Sequence, residues 1–228
     1  MTGSSEGYYT KQKSKLLRDF DKAFGKHGKK ILTSHFGDEL TGTILEETRS
    51  EFEALIPKIP DVGGKKNIWE TNLIQCTWAL ALYQALKSHG KTAEETGKIS
   101  NEMVEAQLKS YPRWFLHLLG RWQFTKYSKN KMKKHAAESQ KRLYLDDWVW
   151  SVFEGDGKEF DSGVDITECA VCKFFRGQDA SDLAPYLCRT DFAVSRAFGT
   201  GLVRTMTLAE GGEKCDFRYK RGRETKQG

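Results

Sequence analysis

The scarcity of proline constrains this fold more than any other feature of the sequence. The 228 residues contain 4 Pro, and none lies between Pro60 and Pro112. Proline interrupts helices because its nitrogen carries no hydrogen and its ring clashes with the preceding turn. In this proline-free interval the apolar residues recur at helical spacing. We therefore predict that the first two-thirds of the chain is mostly helical.

Capping signals divide this region into separate helices. Asn67 with Glu70, and Thr92 with Glu95, each have the spacing of a capping box, in which residues three apart satisfy each other's backbone amides. The run that ends at Ala85 is apolar on nearly all sides, which predicts a central, buried helix. The predicted helices cover residues 8–25, 38–55, 67–85 and 92–111, with a further helix starting near Pro112.

The residue pattern changes at Tyr144. Bulky aromatic and β-branched residues between 145 and 153 precede a glycine-containing turn, and residues 160–167 alternate between apolar and polar, which predicts an antiparallel hairpin. Residues 202–208 and 215–219 predict a second hairpin around Gly211 and Gly212. Between the hairpins, Asp179 is predicted to cap a helix over residues 180–186.

These elements together predict an α+β fold. The helical N-terminal two-thirds should pack on a small, mostly antiparallel C-terminal sheet that is interrupted by one helical insertion. We expect one domain over residues 1–228, because the segment after residue 143 would bury too little surface alone. Its parts are a helical region 1–143, a sheet region 144–220 that carries the cysteine motifs, and a frayed polar tail 221–228.

Composition narrows the cellular setting. Aromatic residues make up 12% of the chain, which favours an ordered protein although its formal charge is +6. No apolar run approaches the roughly 18 to 20 residues that span a bilayer, and the N-terminus lacks the pattern of an export signal. An odd number of cysteines, five, is typical of reduced thiols. We therefore predict a cytoplasmic protein without a membrane partner.

The cysteines are the most informative candidates for chemistry, since four of the five fall in the last 60 residues. Cys169 and Cys172 form a Cys-x2-Cys zinc half-site, but 26 residues separate Cys188 from Cys215, so the second half is missing and no metal is expected. A catalytic thiolate is the second hypothesis, with Asp191 three residues after Cys188 and on the same face of a helix. Small buried hydrophobes are the third.

Three further features leave alternatives open. Asp216 follows Cys215, so strand alternation turns one of them toward a pocket and the other away. Arg204, on a predicted strand, could pair with a substrate carboxylate or lie in solvent at a sheet edge. Residues 121–142 hold eight Lys or Arg and one acidic residue, Glu138. A solvated helix face with lysine stems over aromatic surface explains this segment, so nucleic-acid binding is not expected.

Three segments in this order resemble the L-2-amino-thiazoline-4-carboxylic acid hydrolase family: ITECAVCKFF at 166–175, DLAPYLCRTDF at 182–192 and RTMTLAEGGEKCDF at 204–217. The helical region agrees in length and character. The resemblance implies a hydrolase of a non-peptide C–N bond that opens a carboxylate-bearing cyclic amidine of the 2-aminothiazoline-4-carboxylate type. The implied product is an N-carbamoyl amino acid such as N-carbamoyl-cysteine.

The resemblance does not assign individual steps to residues. We expect Cys188 to be the nucleophile and Asp191 its base or orienting group, with Cys169 as the second candidate nucleophile. Arg204 and Thr207 are expected to bind substrate, Arg204 through the carboxylate. The residues that the resemblance places in the catalytic motif are Cys169, Cys188, Asp191, Cys215 and Asp216.

A non-catalytic domain is the alternative, in which the same cysteines bind a small molecule or a metal in a sensor-like protein. The enzyme hypothesis requires a small-molecule substrate with a carboxylate and no cofactor, and it is compatible with a homo-oligomer.

Overall fold

The computed structural model describes residues 7–225. Within this range the chain forms nine α-helices and one four-stranded antiparallel sheet, which confirms the predicted α+β class. The helices are α1 (Lys13–Ala23), α2 (Lys29–Leu55), α3 (Glu70–Ser88), α4 (Ala93–Lys109), α5 (Arg113–Trp122), α6 (Lys126–Ser139), α7 (Ala170–Arg176), α8 (Ala184–Cys188) and α9 (Thr190–Phe198). The strands are β1 (Val149–Glu154), β2 (Ser162–Glu168), β3 (Leu202–Val203) and β4 (Cys215–Tyr219), in the order β1-β2-β4-β3.

The second helix is longer than the sequence predicts, and it is continuous with the first, which is shorter than predicted. A single π-helical turn, Phe24–Gly28, joins α1 to α2, so the second helix begins at Lys29 rather than near residue 38. Gly37 has φ 76°, and this kink divides the apolar pattern of α2. Phe20 stacks on Phe52 with ring centroids 5.2 Å apart, which fixes α1 against α2.

One predicted capping box forms and the other does not. Thr92 and Glu95 cap α4 reciprocally, as predicted. The side chain of Asn67 instead accepts a hydrogen bond from the Trp69 amide and donates to Asp147, so α3 begins at Glu70 without this cap. α3 is the predicted central helix, and most of its length is buried.

The first hairpin is confirmed, since β1 and β2 pair antiparallel. The second is shorter than predicted because β3 ends at Val203. The Asp216 carboxylate accepts hydrogen bonds from the amides of Thr205 and Met206, which a longer strand would have used for pairing. Arg204 at the same point turns into the interior.

The helical insertion contains three helices rather than one. α7, α8 and α9 all lie between β2 and β3, and the predicted helix over 180–186 is replaced by α8, which starts at Ala184. Asp179 is not an N-cap because it adopts φ 52° in the turn after α7.

The start of the predicted tail is packed rather than frayed. Thr225 is buried, and its hydroxyl lies 2.7 Å from that of Ser195. Arg223 donates to the carbonyl of Gly201. The rest of the tail, residues 226–228, and the N-terminal residues 1–6 lie outside the described residues. None of the helices described is both long enough and apolar enough to cross a bilayer.

Two glycines give a matched test of this packing. A Cβ on Gly120 of α5 would lie 1.9 Å from the carbonyl oxygen of Phe198 on α9, whereas a Cβ on Gly42 of α2 meets nothing within 4 Å. Gly120→Ala should lower the free energy of unfolding by about 1–3 kcal/mol through overpacking. Gly42→Ala should raise it by about 0.5–1 kcal/mol, because alanine favours helix more than glycine does. Urea unfolding measures both, and equal effects would contradict the close contact between α5 and α9.

Candidate active site

A cavity of about 420 Å³ lies where the helices meet the sheet. This is the size of a small-molecule site. Tryptophans and aliphatic side chains form much of its wall, with Trp69 and Trp148 on one side. Five thiols complete the wall, those of Cys76, Cys169, Cys172, Cys188 and Cys215.

The fold brings these thiols together from four separate places. Cys169 directly follows β2 and precedes α7, and Cys172 lies in the first turn of α7. Cys188 ends α8, while Cys215 begins β4 opposite Ile166 of β2. All of them are free thiols.

Cys76 is a cavity residue that the sequence analysis missed. It comes from α3, and its apolar surroundings in the sequence indicate only core packing. No local motif marks it, since the other cavity thiols are distant along the chain.

Cys169 is the thiol most readily ionised. A hydrogen bond from the Cys172 thiol is the largest influence and lowers the pKa of Cys169. Burial acts in the opposite direction, but backbone amides of Cys172 and Val171 add to the lowering, so the pKa of Cys169 lies below its ordinary value. Since Cys172 donates to this thiolate, its own pKa is raised.

The other cavity thiols are held in the protonated form. Burial raises the pKa of Cys188 well above its ordinary value, and the negative charge of Asp191 raises it further. Burial also raises the pKa of Cys76, and that of Cys215 to about 11 although the Leu208 amide donates to its sulfur. The electrostatics therefore favour Cys169 over Cys188 as the nucleophile.

Asp191 and Arg204 form an ion pair in the cavity wall. Arg204 Nη1 donates to Asp191 Oδ2 at 2.6 Å, and Nη2 donates to the Cys188 carbonyl at 3.0 Å. The Arg204 side chain is 5% exposed, whereas that of Asp191 keeps 37% of its surface open toward the cavity. Because protein surrounds the carboxylate, burial raises its pKa, and Arg204 opposes this rise.

The ion pair between Arg204 and Asp191 limits the role of Arg204 in binding a substrate carboxylate. Arg204 was predicted to bind it, but its charge is already compensated by Asp191. Lys129 of α6 also lines the cavity, where its ammonium donates to the Asp161 carbonyl at 3.3 Å. Over residues 7–225, Lys129 makes no salt bridge. The sequence analysis assigned its segment to a solvated helix face and therefore missed this cation.

Two predicted site residues lie outside the cavity wall. Asp216 points away from Cys215, and its carboxylate holds the backbone at Thr205 and Met206. The Thr207 hydroxyl donates to Glu210 at 2.7 Å and accepts from the Glu210 amide, so it caps a short 3₁₀ turn. Their positions give both residues structural contacts instead of contacts with a ligand.

The cysteines do not form a metal centre in the described part of the chain. Among residues 7–225, no group of three or more His, Cys, Asp or Glu side chains is arranged to hold a metal ion.

Fold and cavity together define an α+β protein with a thiol-lined site for a small molecule. The family model described as L-2-amino-thiazoline-4-carboxylic acid hydrolase matches residues 66–219. The chain therefore belongs to this family, which confirms the resemblance seen in the sequence. The matched segment runs from the start of α3 to the end of β4 and contains every residue that lines the cavity. Comparisons with curated proteins and with solved structures gave no match.

The order of thiol pKa values predicts where an alkylating reagent reacts. Iodoacetamide should modify Cys169 first, at a pH below that at which the other cavity thiols react, because the thiolate is the reactive form. Peptide mass spectrometry after short exposures between pH 6 and 9 locates the label. Cys169→Ser should remove the fast phase, and fast labelling of Cys188 instead would contradict this electrostatic order.

Asp216 should contribute stability that depends on pH. Burial raises its pKa, but the hydrogen bonds from Thr205 and Met206 outweigh burial and lower it. A carboxylate with a lowered folded-state pKa stabilises fully above its unfolded value of about 3.9, and this stabilisation is lost as the pH falls through the folded value.

Asp216→Asn should therefore cost about 1–3 kcal/mol at pH 7, and the difference from wild type should shrink below about pH 4. Urea unfolding at pH 7 and pH 3 measures this change. Glu213→Gln, at an exposed position nearby, is the control and should change stability by less than about 0.5 kcal/mol. A difference for Asp216→Asn that is the same at both pH values would refute the assignment.

Proposed function

We propose that this protein is a hydrolase that opens a carboxylate-bearing cyclic amidine, of the 2-aminothiazoline-4-carboxylate type, to an N-carbamoyl amino acid. The observation that carries the proposal is a single cavity lined by both the Cys169 thiol and the Asp191 carboxylate, and the lowered pKa of Cys169 supports it. Family membership supports the substrate class. In this proposal Cys169 replaces Cys188 as the nucleophile.

The first step is attack by the Cys169 thiolate on the amidine carbon of the ring. This carbon is bonded to the ring sulfur, the ring nitrogen and the exocyclic nitrogen. The new C–S bond forms a tetrahedral adduct, and the bond to the ring sulfur then breaks. The ring sulfur leaves as a thiol after taking a proton, and an isothiourea links the substrate to Cys169.

The second step is hydrolysis of this isothiourea. Water attacks the same carbon, and Asp191 accepts a proton from it. A carboxylate with a raised pKa is a stronger base than an exposed one, and burial gives Asp191 this property. Cys169 departs as the thiolate, and the carbonyl of the N-carbamoyl product forms. The overall change is the addition of one water.

In these steps the cleaved bond differs from the C–N bond that the resemblance implied. Formation of N-carbamoyl-cysteine from the ring retains both C–N bonds and breaks a C–S bond. Hydrolysis of the exocyclic C–N bond would instead release ammonia, and hydrolysis of the ring C–N bond would give the isomeric S-carbamoyl amino acid with a free α-amine. We therefore propose C–S cleavage, and a free thiol on a product that retains both nitrogens distinguishes it from either C–N cleavage.

We assign the substrate carboxylate to Lys129. A cation that lines the cavity and makes no salt bridge among residues 7–225 can bind an anion without breaking an existing ion pair. Arg204 would instead hold Asp191 in place as a positioning residue. The thiolate mechanism requires reduced cysteine, and this requirement fits a cytoplasmic location.

Hydrolysis of 2-aminothiazoline-4-carboxylate by purified variants tests the proposal. Cys169→Ser should lower kcat at least about 10³-fold, as removal of a nucleophile does in other enzymes. Cys188→Ser, a matched change in the same cavity, should keep kcat within about tenfold. Lys129→Gln should raise KM more than it lowers kcat, because the contact is made in both ground and transition states. The readout is product formation by mass spectrometry.

Three results would contradict parts of this scheme. Full activity in Cys169→Ser together with inactivity in Cys188→Ser would restore Cys188 as the nucleophile. Loss of ammonia from the substrate would indicate C–N cleavage. Absence of turnover in the wild type, with ligand binding to the cavity retained, would favour the non-catalytic sensor-like domain.

A further inference from the structure

The apolar face of α5 points into solvent rather than into the protein. Leu116 and Gly120 form the buried side, and Gly120 contacts Phe198 of α9. The exposed side carries large hydrophobic residues, including Trp114 at 70% and Leu118 at 57% exposure. We call this side the α5 face, and it consists of Trp114, Phe115, Leu118, Leu119 and Trp122.

The α5 face is contiguous. At 3.6 residues per turn its side chains cover about 140° of the helix circumference, which is the width of an amphipathic face that packs against a partner. Tyr127 of α6, 70% exposed, extends the apolar surface, because its ring centroid lies 6.2 Å from that of Trp122. A patch of this kind on a soluble protein marks an interaction site.

The segment that carries this face contains no acidic residue. From residue 106 to residue 137 the sequence contains no Asp or Glu and eight Lys or Arg. Within the described residues several of these cations have no acidic partner: Arg113, Arg121, Lys126, Lys129, Lys131 and Lys134.

The sign of these charges selects among possible occupants. A two-fold contact with a second copy would place the same patch against itself, so Arg113, Arg121 and Lys126 would approach the same cations of the other copy. A binding partner with an apolar interior and an anionic surface fits this patch better. A bilayer with anionic headgroups has this arrangement, and tryptophan, leucine and lysine are the residues that interfacial helices use.

We propose that the α5 face, flanked by the cations of α5 and α6, docks the protein on the surface of an anionic lipid bilayer. The helix lies in the interface and does not cross it, so the finding on spanning helices is unaffected. The prediction of no membrane partner rested on the lack of a spanning segment and is revised by this proposal. The exposure of Trp122 and Tyr127 supports the revision, because lysine stems were predicted to cover the aromatic surface of residues 121–142.

Cosedimentation with vesicles tests the proposal. The wild type should bind vesicles of phosphatidylcholine with about a third phosphatidylglycerol, and should stay in solution with phosphatidylcholine alone. Binding should weaken as salt rises to about 0.5 M. Trp114→Ser with Leu118→Ser should reduce binding at least about tenfold, and Lys131→Gln with Lys134→Gln at least about fivefold.

Matched control variants distinguish binding by the α5 face from nonspecific binding to vesicles. Leu143→Ser with Leu145→Ser removes two equally exposed apolar side chains, and Lys29→Gln with Lys30→Gln removes two exposed cations of α2. Both controls should bind like the wild type. Trp114 and Leu118 do not line the cavity, so the rate of hydrolysis without vesicles should be unchanged in their variant. A loss of hydrolysis in the wild type would therefore contradict the proposed function, and a loss of vesicle binding would contradict the docking proposal.

Three results would overturn the proposal. The wild type could remain in solution with every lipid composition. The variants of the α5 face could bind as well as the controls. Light scattering could show a wild-type dimer that Trp114→Ser with Leu118→Ser dissociates, without vesicle binding by the wild type, which would assign the face to a second copy.

Discussion

Arg204 carries a guanidinium into the protein interior, where an uncompensated positive charge would be strongly unfavourable. Three separate elements supply the compensation. Asp191 at the start of α9 pairs with it, the carbonyl at the end of α8 accepts from it, and the rings of Phe192 and Phe217 lie about 5 Å from it. Buried ion pairs are strongly destabilising when one partner is lost. This one side chain therefore fixes α8, α9 and β4 relative to one another, and with them one wall of the cavity.

The same ion pair helps to set the difference in pKa between the cavity thiols. Asp191 keeps a negative charge close to Cys188, so a second negative charge on that sulfur is disfavoured, and burial acts in the same direction. Cys169 is surrounded instead by hydrogen-bond donors from Cys172, Val171 and Trp148. Two cysteines with similar depth in one cavity thus differ in pKa because one faces a carboxylate and the other faces donors. The spacing of Cys188 and Asp191 in the sequence favoured Cys188 as the nucleophile. In the structure the nearby Asp191 carboxylate instead raises the pKa of Cys188 and disfavours its thiolate.

The sequence was sufficient for local features and insufficient where distant groups compete. The Thr92 capping box and the β1–β2 hairpin depend on neighbouring residues, and both were predicted. The strand predicted through Arg204 failed because Asp216, eleven residues beyond Thr205, captures the backbone amides. Thr207 and Asp216 belong to the motif by order along the chain, yet their side chains face away from the cavity. Cys76 and Lys129 enter the site from helices that carry no motif, so only the packing of those helices against the sheet could reveal them.

The basic helices link the cavity to the protein surface. Trp122 belongs to the α5 face and also lines the cavity, and Lys129 on α6 does so next to the unpaired cations Lys126 and Lys131. Cations near a cavity concentrate anionic ligands, and this attraction decreases with ionic strength. The two proposals therefore direct an anionic substrate and an anionic bilayer to the same side of the molecule. Residues 106–137 contain no acidic residue, and a carboxylate introduced there would weaken both proposed interactions by neutralising a nearby cation.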